Sequence, residues 1–518
     1  MARRWWTLLT VCLGILMLLL DITIVNVALP SIANDLGASF SDLQWTIDAY
    51  ALSLAAVMLV MGSLGDLRGH RNVFAAGLVL FSVSSLLCGL APDPLFLNVS
   101  RAVQGVGGAA MFATSLALIA REFRGLERGT ALGIWGATAG VSVAIGPLIG
   151  GALTSGISWR WVFFVNVPIG VLTLWLLLAR VGETRRRRVR PDWLGAVAFS
   201  GALFALVFAL IRGNPDGWSS TKVTAAFVAG GVLLALFVAI ETLVREPMLD
   251  LRLFRRPALL GASLAAIALS ASAFSMLLYI TLYLQDILAY SPFEAGLRLL
   301  PLTLAVLLVA PLAGRLSERL PLRLLLGLGL TLVAVGLALM TLVEPSSGWT
   351  VLLAGFIVAG AGSGLTNPPL ASAAIGTVDE EKAGVGSGVN NTARQVGVAA
   401  GIAALGAIFQ SRVQSVLSDQ LAHAAPQLGA RRHAMVEQAT SGDPTQALQS
   451  LPPALRDPVA HALRVAFVAG FDRILWIAAT IGFAGAVLAF LLVRQRDFAT
   501  RDEPAMTARQ LGALSETP

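Results

Sequence analysis

Three charged residues stand inside stretches whose other side chains are almost all apolar. The run that begins at Trp6 carries Asp21 in Leu20-Asp21-Ile22-Thr23-Ile24-Val25-Asn26-Val27-Ala28-Leu29-Pro30; the next run carries Asp48, and the run over 95–119 carries Arg101. A charge at the centre of a bilayer costs at least ~2.5 kcal/mol, so such groups face a protein interior or a wet cavity. A carboxylate placed there can exchange a proton for a cation, because the neutral acid releases the cation that the ionised form attracts. Arg101 keeps its charge and therefore needs an anion or water beside it. We read Asp21 and Asp48 as the proton- and cation-exchanging pair of one cavity, with Asn26 as a further contact. Asp21 could instead be a helix-packing carboxylate, and Asp48, nearer the interface, could simply be hydrated. At ~1.5 Å per residue from the outer helix ends, Asp21 lies roughly 13 Å deep, Arg101 about 10 Å and Asp48 about 6 Å.

The elements that must position these residues follow from composition. With 56% hydrophobic and 13% charged residues over 518 positions, the chain lacks the charge to cover a water-soluble surface of its size. Apolar runs of spanning length occur at 6–29, 44–64, 73–91, 95–119, 131–153 and 162–180, then at 193–211 and 223–243, and again at 259–284, 295–314, 322–343, 350–370, 384–409 and 466–493. This predicts an all-α polytopic membrane protein of fourteen helices. Two six-helix bundles, 1–182 and 258–496, flank a linker, 183–257, that carries two extra helices.

Arginine placement supports the alternation. With the N-terminus inside, the inner segments hold Arg3, Arg4, Arg68, Arg71, Arg121, Arg124, Arg128, Arg180, Arg185 to Arg188 and the arginines around 252–256. The short outer loops hold only Arg160, Arg212 and Lys222. Residues 410–465, rich in Pro, Gln, His and Ala, read as a long extracytoplasmic loop with short amphipathic helices, and 497–518 as a cytoplasmic tail. The halves repeat: Gly62 to Arg71 has a degraded echo at Gly314 to Arg323, and Val103-Gln104-Gly105-Val106-Gly107-Gly108 is echoed by Val358-Ala359-Gly360-Ala361-Gly362-Ser363. Repeated halves rocking about a mid-membrane site are a common build of secondary transporters. Cys12 and Cys88 fall inside apolar runs and the four histidines lack ligand spacing, so neither a disulfide framework nor a metal site is expected.

Five stretches and the extra central pair carry a resemblance. Gly62-Ser63-Leu64-Gly65-Asp66-Leu67-Arg68-Gly69-His70-Arg71, Arg101 to Gly108 and Gly133 to Gly151 are similar to signature motifs of the major facilitator superfamily. The Asp21 run, Trp159-Arg160-Trp161-Val162-Phe163-Phe164-Val165-Asn166-Val167-Pro168-Ile169-Gly170 and the extra central pair look like its fourteen-helix drug:proton antiporter family. The resemblance implies that Asp66, Arg68 and Arg71 latch the inner mouth, although Leu67 and His70 depart from the pattern. It implies that Gly146, Pro147, Gly150 and Gly151 form the motif found in exporters, where small residues allow close helix approach and the proline bends its helix. It also implies that Arg101 favours the ionised form of a nearby acid and helps expel its proton.

Asn390 and Arg394 in the glycine-rich opening of the thirteenth helix, and Asp472 beside Arg473 as a self-satisfied pair, are secondary candidates. No nucleotide-binding motif is present, so the expected energy source is a proton gradient with no cofactor. The expected function is proton-coupled export, by alternating access, of amphiphilic cationic or neutral drugs across the bacterial cytoplasmic membrane. The expected particle is a monomer with both termini in the cytoplasm and no nucleic-acid partner. A dedicated exporter of one metabolite or self-made antibiotic is the alternative within transport, and a non-transporting membrane sensor or assembly partner the alternative outside it. An enzyme is not expected, since no nucleophile–base or metal constellation is in sight.

Overall fold

The computed structural model describes residues 3–123, 126–182, 192–244, 247, 251–317, 319–377, 383–424 and 452–494. In the N-terminal half the spans are α1 (Arg3–Leu36), α2 (Phe40–Arg68), α3 (His70–Gly89), α4 (Pro94–Glu122), α5 (Leu126–Gly156) and α6 (Trp161–Arg180). A central pair follows, α7 (Trp193–Asp216) and α8 (Thr221–Leu243). The C-terminal half contains α9 (Pro257–Ile287), α10 (Pro292–Leu316), α11 (Leu322–Met340), α12 (Leu352–Gly376), α13 (Ala383–Ala424) and α14 (Pro453–Leu492). Among the described residues twelve helices are long and apolar enough to cross a membrane. At 29 and 31 residues, α2 and α5 have spanning length as well, in line with the expected fourteen.

Local chemistry sets where these helices begin. Ser39 and Asp42 form a capping box that starts α2, the Ser39 side chain accepting from the Asp42 N–H and the Asp42 carboxylate accepting from the Ser39 N–H at 2.9 Å. Ser291 and Glu294 do the same for α10, with Pro292 in its first turn. Gly69, at φ 94°, makes the turn from α2 to α3, a conformation that other residues avoid.

The expected outer segment continues the helices on either side of it. Where described, residues 410–465 are helix: α13 continues to Ala424 and α14 already begins at Pro453. Hydropathy fades where polar residues enter, but backbone hydrogen bonding carries the helix onward. The middle of that segment, the basic stretch 183–191 and the tail 497–518 lie outside the described residues.

Packing distinguishes the two ends of the bundle. One apolar core, holding Leu8, Met58, Phe74, Phe81 and Phe123, belongs to the N-terminal half alone. The larger core runs from Leu29, Ile47 and Trp159 into Met276, Tyr279, Leu284 and Phe409, joining the halves at the end where α1 turns into α2. Three hydrogen bonds join the halves at that end. Gln44 Nε2 donates to the Ile402 carbonyl at 3.0 Å, Gln285 Nε2 to the Val27 carbonyl at 2.8 Å, and the Phe293 N–H to Ser155 Oγ at 3.0 Å. Phe40, Tyr279 and Phe409 pack there as tilted rings with centroids 5.4 to 6.2 Å apart. The mouth at this end is closed. Helix α7 lies across the seam between the halves, its Val207 and Ile211 packing with Ala51 and Leu52 of α2 and with Ala399 and Ala403 of α13.

Candidate functional site

Asp21 is fully buried where α1, α2, α4 and α6 meet. Its Oδ2 accepts from Nη1 of Arg101 at 2.5 Å, and its Oδ1 accepts from Gln104 Nε2 and Asn166 Nδ2, each at 2.9 Å. Arg101 also donates from Nε to the Thr46 carbonyl at 3.0 Å and from Nη1 to Gln104 Oε1 at 2.7 Å. Its guanidinium stands 4.2 Å above the Tyr50 ring. Asn166 Nδ2 donates further to Ser85 Oγ at 3.0 Å, adding α3 to the cluster. Both carboxylate oxygens are thus satisfied by charge-assisted or amide donors, and the ion pair is dry. Every contact of this network stays within the N-terminal half.

Asp48 is also fully buried, in the opposite circumstances. Both its oxygens are buried and accept no hydrogen bond from any described residue. The reason lies in helix geometry. The Tyr50 ring faces Arg101 and the Thr46 hydroxyl donates to Asn98 Oδ1 of the same α4, so at about 100° per residue Asp48, two positions from each, lies on the far side of α2. That side meets the C-terminal half. Gln44, one turn before Asp48, reaches the Ile402 carbonyl, which Tyr279 Oη also approaches at 2.9 Å; Leu52, one turn after, packs on α13. The expectation of two acids in one cavity is therefore corrected: α2 separates them, and Arg101 pairs with Asp21 alone. Asn26, the further contact expected for cargo, donates to the Ile22 carbonyl of its own helix at 2.8 Å.

The exporter motif on α5 faces two ways. A Cβ on Gly150 would lie 2.7 Å from the Ile24 carbonyl oxygen, and one on Gly146 would strike the Thr23 side chain, so these two seat α5 on α1. One residue further round, a Cβ on Gly151 would lie 2.5 Å from the Pro292 carbonyl oxygen, and Gly296 of α10 abuts the Pro147 carbonyl. These two seat α5 on the other half. Of the latch residues, Arg71 donates from Nη2 to the Leu178 carbonyl of α6 at 2.9 Å, inside its own half, and Arg68 is exposed. The side chain of Asp66 lies outside the described residues.

Arg394 donates from Nη1 to Asn367 Oδ1 of α12 at 2.6 Å, and Asn390, one turn earlier, has a buried Oδ1 with no partner among the described residues. Among the described residues Asp472 and Arg473 make no ion pair, a further correction. Consecutive helix residues point about 100° apart and do not face one another. Among the described residues no group of three or more His, Cys, Asp or Glu is placed to hold a metal ion. Sequence reasoning missed Gln104, Asn166, Gln44 and Tyr279. The first two lie inside quoted motifs, where an amide among apolar residues was the available signal.

This fold and chemistry have known counterparts. Residues 11–402 match the family described as the Major Facilitator Superfamily. The chain is 35% identical over 490 residues to the multidrug resistance protein Stp of Mycobacterium tuberculosis, covering 93% of this chain and 90% of that one. It is 34% identical over 498 residues to the tetracenomycin C resistance and export protein of Streptomyces glaucescens, covering 94% and 91%. With the puromycin resistance protein pur8 of Streptomyces alboniger it shares 38% identity over 424 residues, 80% and 84% of the two chains. Its fold resembles a bacterial homolog of the human lysosomal transporter Spinster, solved inward-facing and unoccupied, with a TM-score of 0.62 at 19% identity over 96% of this chain and 99% of that one. With a family match across most of its length and resistance proteins among its relatives, this multi-pass membrane chain belongs to the major facilitator superfamily of transporters.

Proposed function

We propose that this protein exports amphiphilic drugs from the cytoplasm by alternating access, driven by inward proton flow, with Asp48 as the carboxylate that couples the two. One observation carries the reading: Asp48 lies buried and without a hydrogen-bond partner among the described residues, on the face of α2 that meets the other half at the closed mouth. Coupling requires a group whose surroundings differ between the two conformations. Asp48 meets that requirement, because parting α2 from α9 and α13 would give it water, whereas the Asp21 network would ride unchanged within its half. An ionised carboxylate sealed in without a partner costs several kcal/mol. A proton taken up at the open mouth therefore lets it close over a neutral acid, and loss of that proton toward the cytoplasmic side, in exchange for cationic cargo, readies the mouth to reopen, so that each cycle carries the proton inward. Asp21 and Arg101 then act as a brace that holds α1, α2, α4 and α6 in register. Export is supported by the relatives' names, and the Asp66 to Arg71 turn is proposed to lie at the cytoplasmic mouth with both termini.

The test is uptake of a panel of dyes and antibiotics into everted vesicles. Several unrelated amphiphiles should accumulate when the lumen is acidified and stop when the gradient is collapsed. Uptake that persists without the gradient would sink the coupling. Relatives named for a single compound, such as the tetracenomycin C protein, favour the second reading, a dedicated exporter; acceptance of one panel member alone would establish it.

A further inference from the structure

Beyond the closed mouth, α13 rises past Phe409 alongside α14 and the last turn of α7. A cavity of about 500 Å³ opens between these three helices, lined by Leu210, Asn214, Trp218, Ile408, Arg412 and Arg473. A second, of about 320 Å³, adjoins it through Arg412, Asp472 and Arg473. The inner wall is apolar and the rim is cationic. Both arginines are exposed, and neither forms an ion pair with any described residue. Asp472, half-buried beside them, offsets one of the two charges and leaves the rim net positive. Trp218 is fixed at the edge, its Nε1 donating to Asn214 Oδ1 at 2.9 Å while the Asn214 amide donates to the Ala407 carbonyl.

We propose that this groove binds one anionic phospholipid, its phosphate between Arg412 and Arg473 and an acyl chain along Leu210, Ala407 and Ile408. Arginine binds phosphate through charge-assisted hydrogen bonds on either face of a membrane, and tryptophan prefers the level at which head groups meet acyl chains. The surface around the groove fits a lipid rather than a free anion: Trp218, Ile408 and Trp476, the last three residues along α14 from Arg473, are all exposed apolar side chains. A lipid seated here touches α7 and the C-terminal half together, and would fasten the central pair across the seam.

The test is native mass spectrometry of the full-length protein in non-ionic detergent, titrated with dioleoylphosphatidylglycerol and, separately, dioleoylphosphatidylcholine, which differ only in the head group. One phosphatidylglycerol should bind about tenfold more tightly than phosphatidylcholine. R412Q/R473Q should abolish the preference, R315Q/R319Q should keep it, and D472N, which removes the offsetting charge, should raise it. Equal binding of the two lipids, a preference that survives in R412Q/R473Q, or a preference lowered by D472N would overturn the assignment. Displacement of the bound lipid by millimolar inorganic phosphate would overturn it too, and would identify a small anion as the occupant.

Discussion

Asp21 and Asp48 are both wholly buried, both acidic and both within the first two helices, yet they are built to opposite specifications. Asp21 has three donors on its two oxygens and a guanidinium as one of them; Asp48 has none among the described residues. The partners of Asp21 come from α4 and α6 of its own half, whereas the helices facing Asp48 include α13 of the other half. A satisfied charge makes a rigid joint, and an unsatisfied one makes a joint sensitive to its charge state. The difference teaches that an intramembrane acid is not identified as the moving one by its depth. What matters is whether its surroundings change when the halves move.

The largest expected effect separates the two acids directly. Asp48→Asn should abolish gradient-driven drug uptake in everted vesicles while shifting stability by no more than about 1 kcal/mol, the scale of an ordinary substitution. Uptake that persists would remove Asp48 from the coupling. Asp21→Ala should do the reverse. It strands Arg101 in the interior and should cost about 3–5 kcal/mol in thermal or denaturant unfolding, whereas replacing both partners, as Asp21→Leu with Arg101→Met, should recover most of that loss. If the double variant is no more stable than the single, the brace is not an ion pair in energetic terms.

Smaller effects sharpen the same contrast on α5. Gly150→Val should cost about 1–3 kcal/mol by overpacking α1 against α5 inside the N-terminal half. Gly151→Val, against Pro292 of α10, should instead pry the closed mouth apart, seen as a longer distance between spin labels on the α1–α2 and α9–α10 turns. A shared phenotype would show that the two glycine faces do not divide as the packing says. Smallest of all, Tyr279→Phe removes the hydroxyl near the Ile402 carbonyl; a loss of about 1 kcal/mol would move the closed–open balance roughly fivefold toward the open mouth in the same distance measurement.

Much of this was legible beforehand. Apolar runs located the spans because a bilayer demands them, and the paired motifs at 62–71 and 314–323 were the ground for expecting two related halves. Helix ends were less so: α13 and α14 outrun their apolar stretches because polar residues can continue a helix beyond a membrane. The Asp21–Arg101 pairing was within reach, since a buried guanidinium needs an anion, while Gln104 and Asn166 carried only the weaker signal of an amide among apolar residues. That Asp48 turns away from Asp21 follows from the positions of Thr46 and Tyr50, yet only once these are known to face α4. Tyr279 and Gln44 were invisible, because their role comes from two halves meeting far apart in sequence.

The most direct measurement is proton release from purified protein in weakly buffered detergent on adding a cationic drug, comparing Asp48→Asn with the charge-balanced pair Asp21→Asn/Arg101→Gln. Release is expected from the Asp21/Arg101 variant and none from Asp48→Asn. Release that survives in Asp48→Asn and vanishes with Asp21 would contradict the account and return the proton to the first helix.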